Sequence, residues 1–117
     1  MNRRPGAPPV PDDYLVTGDV GRDVQVTLTD RNGVAVNLTG ATVRYILWPL
    51  GGTAAKVQAA ATLVSPAAGV VKYTYGVNDL DTYGIFAEEW QVTLGGAVRT
   101  YPEIAPRYIL IRGQMGS

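Results

Sequence analysis

Hydrophobic and polar positions alternate along most of this chain. The pattern is most regular over residues 86–94, FAEEWQVTL, where Phe86, Glu88, Trp90, Val92 and Leu94 fall on one face and Ala87, Glu89, Gln91 and Thr93 on the other. A period of two marks a half-buried β-strand, because successive side chains in extended backbone point to opposite sides of a sheet. The same period recurs in 23–30, with Val24, Val26 and Leu28 set against Gln25, Thr27 and Thr29, and in 70–75, with Val71, Tyr73 and Tyr75 set against Lys72 and Thr74. Asp30-Arg31-Asn32-Gly33 suits a tight reversal with positive φ, so 34–38 is predicted to return along 23–30 as the second arm of a hairpin. A third run, 41–48, is rich in β-branched and aromatic residues and stops at Pro49, which cannot continue a central ladder. Gly95-Gly96 closes a hairpin into 98–101, and 107–112 reads as a final strand with both faces partly covered.

Two segments are less regular. Residues 14–16 form a short first strand, broken by Gly18 and Gly21 before the long strand begins. Residues 53–64, TAAKVQAAATLV, set helix-favouring alanines against strand-favouring Val57, Thr62, Leu63 and Val64. Strand is the reading that agrees with the neighbours on both sides, and only Thr53 offers a helix cap. About eight strands at roughly 8–14-residue spacing, punctuated by Gly, Pro and Asn/Asp, predict an all-β, antiparallel β-sandwich of 7–9 strands. Trp90 and Trp48 are its bulky core candidates, Trp48 partly exposed at a strand end.

Residues 1–13, MNRRPGAPPVPDD, hold four prolines and no apolar periodicity, which reads as an extended proline-rich arm. The domain is expected over 14–112, with 113–117 as a short tail. Two readings of the arm stand: a disordered terminus, or a segment that lies along a neighbouring subunit, since proline lowers the entropy lost on docking. In the second, Arg3 and Arg4 meet acidic surface while Pro8, Pro9 and Tyr14 make the remaining partner contacts.

With 117 residues, the chain suits one domain with one core. Ten basic residues balance ten acidic ones, so no global field draws the protein to nucleic acid or an anionic membrane. Without cysteine there is no disulfide framework, thiolate zinc site or thiol nucleophile, and without histidine the commonest general base and metal ligand are missing. No run approaches the roughly 18 apolar residues of a membrane span, and the amino terminus lacks the apolar core of a signal peptide, so the product is expected to be soluble where it is made. Neither cofactor nor metal is expected.

Candidate chemistry is thin. Asn78, Asp79 and Asp81 could offer oxygen ligands to calcium, but they lack the loop and distal glutamate of an EF-hand and suit an Asx-type corner better. Glu88 and Glu89 cannot act as an acid–base pair, because adjacent strand residues point to opposite faces. Glu88 lies on the apolar face and needs an arginine or a tyrosine hydroxyl as partner, or a bulge that tips it to the surface. The seven tyrosines, with Arg44, Arg99, Arg107 and Arg112, could form a stacking surface for glycans or single strands. Asn37-Leu38-Thr39 matches a glycosylation acceptor without a secretory signal, and Gly51-Gly52 is a turn without the lysine of a phosphate loop.

The segments GDVGRDVQVTLTDRNGVAVNLTGATVRYIL, SPAAGVVKYTY, DLDTYGIFAEEWQVTL and GGAVRTYPE resemble the immunoglobulin-like modules of tailed-phage virion proteins, notably the amino-terminal domain of baseplate upper proteins. The resemblance covers about residues 15–112 and is firmest in the LTDRNG hairpin, the NLTGATV strand entry and the DLDTYG corner. It implies an immunoglobulin-like fold and a non-enzymatic structural role in a tailed-phage virion, as a tail or baseplate accessory or a capsid decoration protein made in the host bacterial cytoplasm. Partners would be capsid, connector or tail subunits in a symmetric assembly, reached through sheet edges and the arm, with no nucleic acid and no membrane. The receptor-binding segments that follow the module in baseplate proteins have no counterpart after Arg112, which favours a self-contained accessory over a fibre-bearing role. A carbohydrate- or host-surface-binding module using tyrosine and tryptophan on one sheet face is the alternative.

Overall fold

The longest alternating run becomes the central strand of the structure, a computed structural model that describes residues 10–113. This strand pairs along one side with Thr42–Pro49; along the other, its first half pairs with Arg107–Arg112 and its second half with Ala97–Tyr101. In chain order the nine strands among the described residues are β1 (Asp13–Val16), β2 (Asp23–Thr27), β3 (Thr42–Pro49), β4 (Val57–Ala60), β5 (Thr62–Ser65), β6 (Val70–Thr74), β7 (Gly84–Leu94), β8 (Ala97–Tyr101) and β9 (Arg107–Arg112). A larger sheet, ordered β1-β9-β7-β3-β4 with β8 also on β7, faces a smaller sheet ordered β2-β6-β5. Their inward residues form one core, in which Leu38, Tyr45, Leu47, Val71, Trp90 and Ile109 are wholly buried.

The all-β expectation holds, and three local ones change. First, β1 runs parallel to β9, with Tyr14 opposite Leu110, so the pairing is not wholly antiparallel. These two strands come from opposite ends of the domain, and no hairpin constrains their direction. Second, 34–38 is not a strand. Its only ladder contact is an isolated bridge between Thr29 and Ala35. The reversal itself is present: Asp30 N–H donates to the Val34 carbonyl at 2.9 Å, and the Asp30 carboxylate accepts from the N–H groups of Asn32 and Val34. Beyond it Leu38 turns away, donating to the Pro66 carbonyl at 2.8 Å, and the preceding strand ends at Thr27. Third, 53–64 is extended only from Val57 and divides at Ala61. That residue donates to Val43 of the larger sheet at 2.8 Å, while the next, Thr62, pairs with Lys72 of the smaller one. The chain changes sheets there, so β4 and β5 clasp one side of the sandwich.

Gly69 locks the turn beneath this clasp. A single 3-10 turn, Pro66–Ala68, ends on Gly69 at φ 75° and ψ 16°, a left-handed conformation. Its carbonyl accepts from Leu28 N–H at 2.8 Å, which ties the turn to the segment after β2. A Cβ here would stand 2.8 Å from the Val36 carbonyl oxygen and 2.9 Å from that of Leu28, both backbone atoms. Strain and clash act together, so Gly69→Ala is expected to cost about 2 kcal/mol or more in urea-measured stability. A neutral result would show that the 28–36 segment gives way freely.

Candidate functional site

Glu88 is the one buried charged residue in the core among the described residues, with 0% exposure. It lies on β7 directly opposite Arg107 of β9 on one side and Leu47 of β3 on the other. Arg107 donates to Oε2 at 2.6 Å, the Trp90 indole N–H donates to the same oxygen at 3.1 Å, and the Tyr45 hydroxyl donates to Oε1 at 2.9 Å. Because the Tyr45 proton is committed to Glu88, the 2.5 Å contact between Tyr45 and Tyr75 is one in which Tyr75 donates. Both partner types anticipated for Glu88 are therefore present, and no bulge is needed. Tyr73 stacks on Tyr45 with centroids 4.5 Å apart and planes 8° from parallel, while its hydroxyl donates to Asp79 at 2.5 Å. Tyr73 and Tyr75 belong to the smaller sheet and its continuation, so the cluster bonds one sheet to the other across the core.

This environment retunes the group. Burial pushes the Tyr45 phenol well above the usual tyrosine range, and the Glu88 carboxylate adds to it. Burial raises Tyr75 as well, and Tyr73 rises through burial and then Asp79. At Arg107 burial opposes the charge, but Glu88 outweighs it and the guanidinium holds its proton more tightly than usual. Perturbed groups converging in one place can signal catalysis. The geometry here points to structure instead: Glu88 is satisfied by its three donors and Tyr75 by Tyr45, and the adjoining cleft of about 60 Å³, walled by Leu28, Trp90, Tyr101, Pro102 and Arg107, is far below the roughly 300–1,000 Å³ of small-molecule pockets.

The acidic corner divides in a similar way. Asp79 accepts from Gly76 N–H and from Tyr73, whereas Asp81 is held by Lys56 and Thr82, so the two carboxylates serve separate contacts. Asn78, just before Asp79, takes a left-handed φ of 72°. This is a structural corner, although the bond runs from Asp79 back to Gly76 rather than forward as in an Asx turn. That motif appears instead at Asp30 and at Asn37, whose side chain accepts from Thr39 N–H at 3.0 Å. Among the described residues no three acidic side chains converge as a metal site would need.

Of the aromatic residues proposed for a stacking surface, Tyr45, Tyr75, Tyr101 and Trp90 are buried, whereas Tyr14 and Tyr83 are exposed. Of the residues expected at a partner contact, Tyr14 is 59% exposed on β1. Its cross-strand row continues through Leu110 to Ile85, and a second row joins Trp48, Ala87 and Tyr108, both on the outer face of the larger sheet. Arg3, Arg4, Pro8 and Pro9 lie outside the described residues. Asp12 and Asp13, placed in the arm by composition, are bound to the domain: Asp13 opens β1, and Asp12 both donates to and accepts from the Tyr108 backbone at 2.6 and 2.7 Å.

A surface that sequence reasoning missed lies at the other end of the larger sheet. Beside β8 a groove of about 190 Å³ opens between Val36 and Asn37 on one side and Val92, Leu94, Ala97, Arg99 and Tyr101 on the other. Leu94 on its wall stands exposed, as does Val98 on the other face of β8. The signal was the short, glycine-closed hairpin following a long strand, which leaves a margin without a next strand in sequence.

Neither a protein-family model nor a curated protein matches this sequence. Among solved structures, the N-terminal domain of phage TP901-1 ORF48 superposes with a TM-score of 0.62 at 16% identity, over 85% of this chain and 82% of that one. The two share a fold.

Proposed function

We propose that this chain is a non-enzymatic structural component of a tailed-phage virion, an immunoglobulin-like sandwich that docks onto capsid, connector or tail subunits through its sheet edges and N-terminal arm. The observation that carries this reading is the shared fold with a domain of a phage protein over most of both chains. The location of the polar cluster supports it. Among the described residues the one buried acid serves to bond the two sheets, and sheet edges and exposed faces remain for partners. No helix among the described residues is long and apolar enough to cross a membrane.

On this reading the protein is made in the host bacterial cytoplasm and ends in the particle, in a copy number set by the symmetry of the site it decorates. Quantitative mass spectrometry of gradient-purified virions, with density for the sandwich located in the intact particle, tests it. The expected result is a fixed stoichiometry matching a capsid, connector or tail symmetry; absence from washed virions refutes the proposal. Truncation of residues 2–9 is expected to weaken particle binding, and undiminished binding would remove the arm from the mechanism.

A further inference from the structure

The margin of the larger sheet at β8 is shaped to accept another strand. Gly95 and Gly96 close the β7–β8 hairpin as a two-residue loop with φ of 59° and 83°, the positive pair of a type I′ turn. In such a loop the flanking residues, Leu94 and Ala97, form a hydrogen-bonded pair, and bonded and non-bonded pairs alternate outward from it. Ala97, Arg99 and Tyr101 thus direct their backbone groups to β7, whereas Val98 and Thr100 direct N–H and C=O to the free margin. Among the described residues β7 is the only strand that pairs with β8. Two donors and two acceptors are left in a row, next to a groove whose walls are mostly aliphatic.

Arg99 decides what can fill that margin. Its side chain lines the groove, and among the described residues it forms no ion pair with a carboxylate. A second copy of β8 is a poor occupant. The antiparallel register that uses Val98 and Thr100 of both copies pairs each with the other and sets Arg99 against Arg99, and like charges directly opposite are destabilising. Inward-pointing charge is a known way of protecting an edge from self-association. An acidic strand meets the reverse condition, because its carboxylate would neutralise Arg99 while its aliphatic neighbours on the same face enter the groove.

We propose that β8 receives an extended strand from a neighbouring subunit, one that carries a carboxylate opposite Arg99 and aliphatic residues two positions to either side. This rests on the docking reading above and names the partner segment for one of its edges. Backbone hydrogen bonds at Val98 and Thr100 would supply attachment, and Arg99 with the groove would supply selectivity.

The probe is the blocked heptapeptide SVTETVS, whose valines and glutamate share one face, titrated into the isotope-labelled full chain and followed by amide NMR. Saturable shifts centred on residues 97–101 are expected at up to about millimolar peptide, as suits a short unconstrained strand, with slowed hydrogen exchange at the Val98 and Thr100 amides. The lysine analogue SVTKTVS should bind at least about tenfold more weakly, and Arg99→Glu should reverse that preference. Val98→Pro removes an outward N–H that β7 does not use, so it should abolish binding while the remaining β7–β8 amide pattern confirms the fold. Shifts elsewhere on the molecule, equal affinity for both peptides, no binding at millimolar peptide, or self-association through β8 would each overturn the proposal. Peptide binding as described by a protein absent from virions would sink the virion reading and leave the strand site standing.

Discussion

Replacing Arg107 with alanine is expected to lower the free energy of unfolding by about 3–5 kcal/mol, because it strips the counter-charge from a wholly buried carboxylate. Glu88 has 0% exposure, and Arg107 supplies the shorter of the two bonds to Oε2. The Trp90 indole and Tyr45 hydroxyl would remain, but neither carries charge. Against a typical total of about 5–15 kcal/mol such a loss is a large share of the fold's stability. The control separates the charge from the packing. Arg107→Leu combined with Glu88→Leu removes both ions, so its cost should fall below the sum of the two single replacements, although Tyr45 and Trp90 then lose an acceptor. Urea denaturation of the parent protein, Arg107→Ala, the two leucine single variants and the leucine double variant checks this. A loss under about 1 kcal/mol for Arg107→Ala would mean that solvent reaches Glu88 and that the cluster does not hold the sheets together.

Glu88 also shows where reading the sequence stops. Alternation along 86–94 places it among Phe86 and Trp90 and so requires a polar partner, but nothing local says which one. Arg107 lies in a different strand and becomes its neighbour only once β7 and β9 pair in register. The strands that could be read from the chain, such as 70–75 and 86–94, are those whose two faces see different surroundings, core on one side and solvent on the other. Residues 34–38 deceived because their apolar residues serve different ends: Leu38 is wholly buried as a single anchor, whereas Val34 is exposed. Ala61 gave no cue because alanine packs acceptably in either sheet, and the change of sheet is decided by which backbone carbonyl its neighbours meet. The fold resemblance carried by turn and strand-entry residues such as LTDRNG and DLDTYG agrees with the shared fold, because turn chemistry constrains topology more tightly than it constrains the rest of the sequence.

The same cluster makes alkali the condition under which the sandwich should fail most steeply. Tyrosines in an unfolded chain lose their protons near pH 10. In the folded protein burial holds Tyr45 and Tyr75 protonated well beyond that point. Folded values above unfolded ones mean that the native state binds more protons over the interval, so stability is fully present below about pH 10 and declines as pH rises toward the folded values. Each such phenol contributes a slope of about 1.4 kcal/mol per pH unit, and the two together about 3 kcal/mol per unit, enough to unfold an ordinary domain within a few units. Denaturant unfolding between pH 9 and 12 tests the slope, and phenolate absorbance should show these two rings ionising together with loss of the fold. Tyr75→Phe is the discriminating variant, because the Tyr75 hydroxyl bonds only to Tyr45. With Tyr73 also raised by burial and Asp79, it should reduce the slope by about a third to a half while leaving the acceptor Glu88 with its three donors. If all the tyrosines titrate near pH 10 in a protein that stays folded, water reaches the cluster and the phenols are not the bond between the sheets.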